Sequence, residues 1–502
     1  MEKLQKNRVS LNLSDLKEVC ISIFNQSLIK KIVVLFSVYF IPLLVISLTN
    51  FPYIDDVDRQ IKGYTGFAVS YSRWGSEIAS WIVQGGKHQA DLGAFMYILS
   101  SIILTCSSLI IIHTLNRKIT WTSIFISSLI GLNPWFLEGM LFKFDNPYMS
   151  LSIFFSVFPF LLYRNFKFFI PISILSIFLM CNTYQASSGI YILMVLALVL
   201  EQIIDDSKFK DTVKLIFASA ISYVIGVGLF PVQLKFFPGT FANSDKKFIS
   251  SISDIFKSLK NNTYLYLKSY YEKSAYVWLL LALIVTISFV LMMLLRSKIN
   301  LVITLVVLVS YLSIGVVLSA GVYIIFSQPT ANITPRYGYG LAIFFVINLI
   351  ILTKSISNPL VDIYSKLLSF TVFFYFFSFP FSLASTLDAQ KVSFENQSAV
   401  LTSNLNPLIT EERRIVHMNK LFKNSAVRQN NLSKFPIIAN LVPDSSVLLW
   451  TSTLWFQSLS NLNIEIVPTD FSGVSTIDLT PEISTQLYNI YTNDKEVFVE
   501  MK

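Results

Sequence analysis

Long apolar runs, each bounded by a short polar or charged stretch, fill the first three quarters of the chain. A helix needs about 20 apolar residues to cross the hydrocarbon core of a bilayer. Reading for that length predicts about eleven spans, near 32–50, 91–115, 119–137, 147–163, 168–183, 185–200, 213–234, 275–295, 299–325, 337–353 and 365–384. The stretch 168–200 reads as a helical hairpin broken at Asn182-Thr183-Tyr184-Gln185. After residue 385 the pattern changes. Short β-prone runs, Ser446–Trp450, Ile464–Val467 and Glu496–Glu500, alternate with polar, helix-like segments such as Glu411–Phe422. The pattern predicts a polytopic α-helical membrane protein in three parts: an N-terminal segment 1–31, a transmembrane domain 32–384, and a small α/β C-terminal domain 385–502 outside the membrane.

Composition narrows the class. The 502 residues are 53% hydrophobic and 14% charged, with a mean hydropathy of +0.60. Soluble domains average about 25% charged residues, so an ordinary soluble enzyme, a disordered chain and a disulfide scaffold are excluded. The net charge of +9 is not a nucleic-acid signature, because it divides into +12 over residues 1–384 and −3 over 385–502. Much of the basic excess sits in alternate short loops: Lys30-Lys31, Arg117-Lys118, Arg164 with Lys167, Lys208 with Lys210, Arg296 with Lys298, and Lys354. Together with Lys3, Lys6, Arg8 and Lys17, they set the N-terminus in the cytoplasm and, with eleven spans, the C-terminus outside. Loop 235–273, with seven Lys, runs against the rule locally. Some thirty polar or mixed residues precede the first apolar run, which is not the layout of a cleavable signal peptide. Cys20, Cys106 and Cys181 show no metal or disulfide spacing and read as small apolar fillers.

The polar chemistry concentrates in the loops expected on the outer side. The first, about 51–90, opens Tyr53-Ile54-Asp55-Asp56-Val57-Asp58-Arg59 directly after a span. A carboxylate at the bilayer surface, next to a like charge and partly desolvated, has the raised pKa of a general base. Arg59, one helical turn on, can orient that base or bind a phosphate bidentately. The plainer reading is a solvated loop start with a helix cap. Residues 71–82 place Trp74 and Trp81 at helical spacing, as in an interfacial amphipathic helix anchored by its tryptophans. The next outer segment, Asn133-Pro134 through Glu138 to Lys143-Phe144-Asp145, sets three ionisable groups among large apolar residues, where charge is costly. Lys143 is expected to pair with Asp145 or Glu138 if these groups only fix the loop. Asn182, Tyr184 and Gln185 either bond neighbouring helices or meet sugar hydroxyls. Arg336, opening a later span, either snorkels to lipid headgroups or binds a phosphate.

Other chemistries lack their motifs. No Walker-type loop, Rossmann fingerprint or HExxH motif occurs. His88, His113 and His417 are scattered, which argues against a histidine metal cluster or a Ser-His-Asp triad, and the missing Walker-type loop argues against an ATP-driven pump.

Tyr53-Ile54-Asp55-Asp56 with Arg59 and Gly63-Tyr64, then Arg73-Trp74, Asn133-Pro134 through Glu138 to Phe144-Asp145, and Tyr184-Gln185-Ala186, taken in order, resemble the type II glucosyl transferase family. One departure is Ser72 before Arg73, where the resemblance leads one to expect glycine. The family implies a GT-C-like membrane glycosyltransferase linked to O-antigen modification and serotype conversion. Its donor would be glucose on undecaprenyl phosphate, supplied by a separate synthase and a flippase. Its acceptor would be a hydroxyl of lipid-linked O-antigen in the periplasm, at the bacterial inner membrane. The resemblance casts Asp56, or its neighbour Asp55, as the base. Arg59, Arg73, Lys143, Arg336, Tyr184 and Gln185 would bind the donor phosphate and substrate. Glu138 and Asp145 would position the base, bind sugar hydroxyls or hold a divalent cation; no other cofactor is implied. Competing readings are a transferase of another polyprenyl-phosphate sugar, and a lipid-linked sugar flippase, which would instead spread intramembrane charges along a central path.

Overall fold

The computed structural model describes residues 26–238, 252–327, 329–354, 358–471 and 480–502. The N-terminal stretch with Lys3, Lys6, Arg8, Lys17 and Cys20 lies outside the described residues. The first helix, α1 (Gln26–Leu48), leads into a loop of three short helices, α2 (Asp56–Lys62), α3 (Phe67–Tyr71) and α4 (Trp74–Gln84). Next come α5 (Ala94–Asn116), α6 (Trp121–Ser127), α7 (Leu129–Leu132), α8 (Pro134–Leu141), α9 (Asn146–Val157), α10 (Phe166–Thr183), α11 (Ser188–Ile204) and α12 (Phe209–Phe236). They are followed by α13 (Ile252–Lys273), α14 (Tyr276–Arg296), α15 (Leu301–Leu318), α16 (Pro335–Gly338), α17 (Gly340–Leu352), α18 (Pro359–Phe377) and α19 (Phe379–Leu405).

Eight helical segments among the described residues are long and apolar enough to cross a membrane. Three of the expected spans differ. The run 119–137 is bent by 56° between α6–α7 and α8. Asn133-Pro134 is the cause: proline cannot continue the hydrogen-bond ladder and forces Asn133 extended (ψ 145°). The Asn133 side chain then accepts from Phe136 N at 2.9 Å and donates to Ile130 O at 2.8 Å, capping both halves. The runs 147–163 and 337–353 form apolar helical segments, Asn146–Leu162 and Gly340–Leu352, shorter than a full span.

The bundle is packed as a membrane solvent demands. Phe217, Val224, Leu283, Leu295 and Val306 are exposed, while Ser219, Ser222 and Gly226 face inward on α12. Small residues let helix backbones approach: a Cβ at Gly226 would stand 2.8 Å from Ile177 Cβ on α10. The basic loops gather at one end of the bundle. There Lys354 meets Glu201 at 2.7 Å, Lys298 meets Asp205 at 3.6 Å, and Lys31 donates to Ile119 O at 2.7 Å. α1 carries the chain from that end to the other, about 35 Å away at 1.5 Å per residue, where the loop with α2–α4 lies.

The C-terminal domain sits at this second end. α19 runs out of the bundle without a break and carries it. Gln390 donates to Ser445 Oγ at 2.6 Å and accepts from Ser425 N at 2.9 Å, and Phe394 stacks on Trp455 at 4.0 Å. The sheet has five strands, β1 (Ile415–Met418), β2 (Glu465–Pro468), β3 (Ile483–Ser484), β4 (Tyr488–Thr492) and β5 (Glu496–Met501), in the order β2-β1-β5-β4-β3. β1 is parallel to β2 and β5; β4 is antiparallel to β5. Of the expected strands, Ile464–Val467 and Glu496–Glu500 form; two other segments exchange roles. Glu411–Phe422, expected helical, holds the interior strand β1, whose burial alternates with period two and whose backbone is paired on both edges. Ser446–Trp450, expected as a strand, turns into a helix, α20 (Trp450–Ser460), where Ser452 Oγ accepts from Leu449 N at 3.0 Å.

Candidate functional site

The chain leaves α1 through a tight turn. Asn50 and Ile54 both take left-handed backbone angles, φ 45° and 42°. A β-branched residue there is strained, and such strain is held only where surrounding contacts fix it. Here the anchor is Tyr53, buried with its ring edge-on to Phe142 at 4.7 Å and its hydroxyl donating to Asn440 O of the C-terminal domain at 3.4 Å. Phe51 packs on Trp455 of α20 at 5.4 Å. The turn delivers Asp56 as the first residue of α2, and Gly63 ends that helix at φ 63°.

Asp56 is 0% exposed. Its Oδ2 accepts the backbone N–H groups of Tyr53 at 3.1 Å and Lys143 at 3.3 Å. Its Oδ1 is buried with no hydrogen-bond partner among the described residues. Burial pushes the carboxyl up to about 7, against the pull of Arg59, Lys143 and the two amides. A carboxylate poised near neutrality with one oxygen unengaged is the make-up of a general base.

Most of the surrounding cations are matched. Arg59, 3% exposed, meets Asp55 at 3.3 Å and Asp145 on its other face, and its guanidinium lies over the Phe67 ring at 5.1 Å. Lys143 reaches Asp91 at 2.8 Å and Asn50 Oδ1 at 2.7 Å. Burial raises the Asp91 pKa, but the hydrogen bonds from Lys143 and Gln60 outweigh it and hold the carboxyl low. Arg336 pairs with Glu138, whose second oxygen accepts Arg336 N at 2.8 Å. Its guanidinium covers the opposite partner of Tyr53, the Phe142 ring, at 4.3 Å. Arg73 differs. It lies over the rings of Tyr184 (4.6 Å) and Tyr71 (5.2 Å) and has no carboxylate partner among the described residues.

The structure therefore brings together Asp55, Asp56, Arg59, Lys143 and Asp145, with Arg336, Glu138, Tyr184 and Arg73 continuing the cluster. Tyr184 joins by its ring and by its hydroxyl on Arg336 O at 3.4 Å. Gln185 stands apart, donating to Cys181 O of its own helix end at 2.7 Å. Asn182 pairs with Gln233 at 2.8 Å between α10 and α12, the helix-bonding role. Lys143 pairs with neither Asp145 nor Glu138: the turn after α8 sends the three side chains to partners on different elements. α4 forms as expected, with Ile78 and Ile82 exposed and polar Ser76, Glu77 and Ser80 buried. Trp74 packs on Phe237 at 5.5 Å, and Trp81 donates to Glu77 Oε1 at 3.1 Å.

Sequence reasoning missed Asp91 and Glu77. Asp91 stands just ahead of a span, at the far end of the loop that Asp55 and Asp56 begin, so the same membrane-edge argument applies to it. Glu77 accepts from Ala68 N at 3.0 Å and Thr65 Oγ1 at 3.4 Å, tying α3 to α4. It was hidden among the aromatics of the amphipathic pattern. Among the described residues no group of three or more His, Cys, Asp or Glu is arranged to hold a metal ion.

Helices suited to a membrane, with a buried carboxylate ringed by cations at one end of the bundle, define an integral membrane protein whose site suits acid–base group transfer. Residues 44–347 match the profile of the family described as Glucosyl transferase GtrII, and the chain belongs to that family. The matched segment contains every charged residue of the cluster and stops before the C-terminal domain. The chain is also 21% identical over 213 residues to the uncharacterized 55.3 kDa protein in the gtrB 5′ region of Salmonella phage P22. That similarity covers 42% of this chain and 44% of the relative, so the chain spans under half of the relative's length.

Proposed function

We propose that the protein transfers glucose from undecaprenyl-phosphate-glucose to a hydroxyl of lipid-linked O-antigen, on the periplasmic side of the bacterial inner membrane, by a single inverting displacement. The observation that carries this is Asp56, buried, poised near neutrality and free at Oδ1 beside a cluster of cations. Asp56 Oδ1 takes the proton of the acceptor hydroxyl as its oxygen bonds to the anomeric carbon. The bond from that carbon to the phosphate oxygen breaks, and the polyprenyl phosphate leaves with the electron pair. Arg73, whose charge no carboxylate offsets among the described residues, and Arg336 stabilise the charge on the leaving phosphate. Asp55 and Asp145 hold Arg59 behind the base. A polyprenyl-linked donor needs no nucleotide-binding loop, in keeping with the motifs of the chain. A GT-C-like architecture fits a base in the first loop after the first span. The gathering of basic loops at the end away from Asp56 supports a cytoplasmic N-terminus and a periplasmic site.

The test is mass and linkage analysis of O-antigen from cells with the protein, without it, and with Asp56→Asn or Asp55→Asn. One added hexose per repeat is expected with the wild type, is lost with Asp56→Asn, and is reduced with Asp55→Asn. Unchanged O-antigen in the wild type would refute the function; full transfer by both variants would refute the base.

A further inference from the structure

A cleft of about 360 Å³ opens between α13, α14, α15 and α17. Its deep walls are apolar, with Leu312 and Val316 of α15 and Phe344 and Phe345 of α17. It opens sideways where Tyr271 and Thr286 are exposed. Its end nearest the C-terminal domain is different. There Trp135 of α8 stacks on Tyr270 at 4.1 Å, and Trp278 of α14 stacks on Phe435 of the C-terminal domain at 5.4 Å. Both indoles are almost fully buried, and both Nε1–H groups lack a hydrogen-bond partner among the described residues. Two unpaired donors at one end of an apolar cavity call for acceptor oxygens. Lys273, the last residue of α13, adds a cation at that end. Among the described residues its ammonium donates to Asn332 O at 3.3 Å and pairs with no carboxylate, though Glu138 lies within electrostatic reach. Glu138 is one turn beyond Trp135 on α8 and carries Arg336, so the cleft's polar end continues into the site described above.

The geometry points to an amphiphile with an anionic head and a long apolar chain, and we propose that the cleft holds the isoprenoid chain of the polyprenyl-phosphate donor. The phosphate end lies between Lys273 and Arg336, and the chain runs down between α14, α15 and α17 to leave beside Thr286. This rests on the polyprenyl-phosphate reading of the site. It adds Trp135, Trp278 and Lys273 as residues that meet the donor.

The full chain in nanodiscs is to be photolabelled with a diazirine-bearing polyprenyl phosphate that carries no sugar, and the adducts mapped. Adducts on α14, α15 and α17 that fall about tenfold in Val316→Trp or Ala282→Phe, by overfilling the cleft, are expected. A phospholipid with a diazirine in its acyl chain should give none there; the same adducts from both probes would overturn the proposal, as would polyprenyl adducts confined to other helices. In turnover, both variants should raise KM for a long-chain donor by about tenfold and leave a short, water-soluble prenyl-phosphate hexose unchanged; an equal loss on both donors would overturn it. The labelling needs no transfer, so cleft adducts without any hexose transfer would support the lipid site while refuting the glucosyltransferase reading.

Discussion

Asp56 accepts the backbone amide of Lys143, while the ammonium of Lys143 turns away to Asp91 at 2.8 Å. The residue that steadies the base therefore gives it a dipole rather than a contact charge. A direct ion pair would drive the Asp56 pKa down and make it a poor proton acceptor. Burial instead wins, and the carboxyl is held near 7.

Hexose transfer should follow that titration. Asp56 must be ionised to accept a proton, so kcat should fall by about tenfold from pH 8 to pH 6, with a midpoint near the pKa of about 7. Lys143→Met removes a cation that favours the ionised form, so it should move the midpoint upward. Steady-state transfer measured across pH 5–9 in detergent tests both. A profile flat over that range, or a midpoint moved downward by Lys143→Met, would show that another group sets the pH dependence.

Arg59 and Arg73 should separate fold from chemistry. Arg59 bridges Asp55 and Asp145 where almost no water reaches it, and breaking a buried pair costs about 3–5 kcal/mol. Arg59→Met should lower the thermal midpoint strongly, and the double variant Arg59→Met/Asp145→Leu should recover part of that loss. A midpoint left unchanged by Arg59→Met would mean that the bridge is not structural.

Arg73→Met leaves no carboxylate stranded, so its thermal midpoint should stay close to wild type. Its transfer rate should drop by about 10²–10³, the range for removing one transition-state donor. The two measurements need to be made on the same preparation. A large loss of stability together with activity would place Arg73 in the scaffold instead.

The helical runs were legible because a span is defined by length and apolarity, and each apolar run is helical. The bend at Asn133-Pro134 was visible as a proline, yet its consequence was not, since it depends on Asn133 capping both halves. The first-loop carboxylates were legible from their position at a span's end. Their partners were not: Arg59 reaches Asp145 and Lys143 reaches Asp91 across 86 and 52 residues of sequence. No local spacing encodes such contacts. In the C-terminal domain, Ile415–Met418 is a strand because β2 and β5 flank it, which a window ending at Phe422 cannot register.

Ser72 offers a test of backbone cost at the site. It caps α3 in the left-handed region at φ 58°, is fully buried, and its hydroxyl lacks a hydrogen-bond partner among the described residues. A residue with a Cβ is disfavoured at that angle, and a buried hydroxyl left unbonded adds a further penalty. Ser72→Gly removes both, so it should raise stability by about 1 kcal/mol, seen as a higher thermal midpoint. Because Arg73 follows directly and its N–H already bonds Phe67 O at 2.9 Å, the guanidinium should keep its place over Tyr184 and transfer should stay at the wild-type rate. Ser72→Val, with a branched side chain at the same angle, should lower the midpoint and disturb Arg73, reducing transfer. If Ser72→Gly lowered the midpoint instead, the serine hydroxyl would be contributing a stabilising interaction.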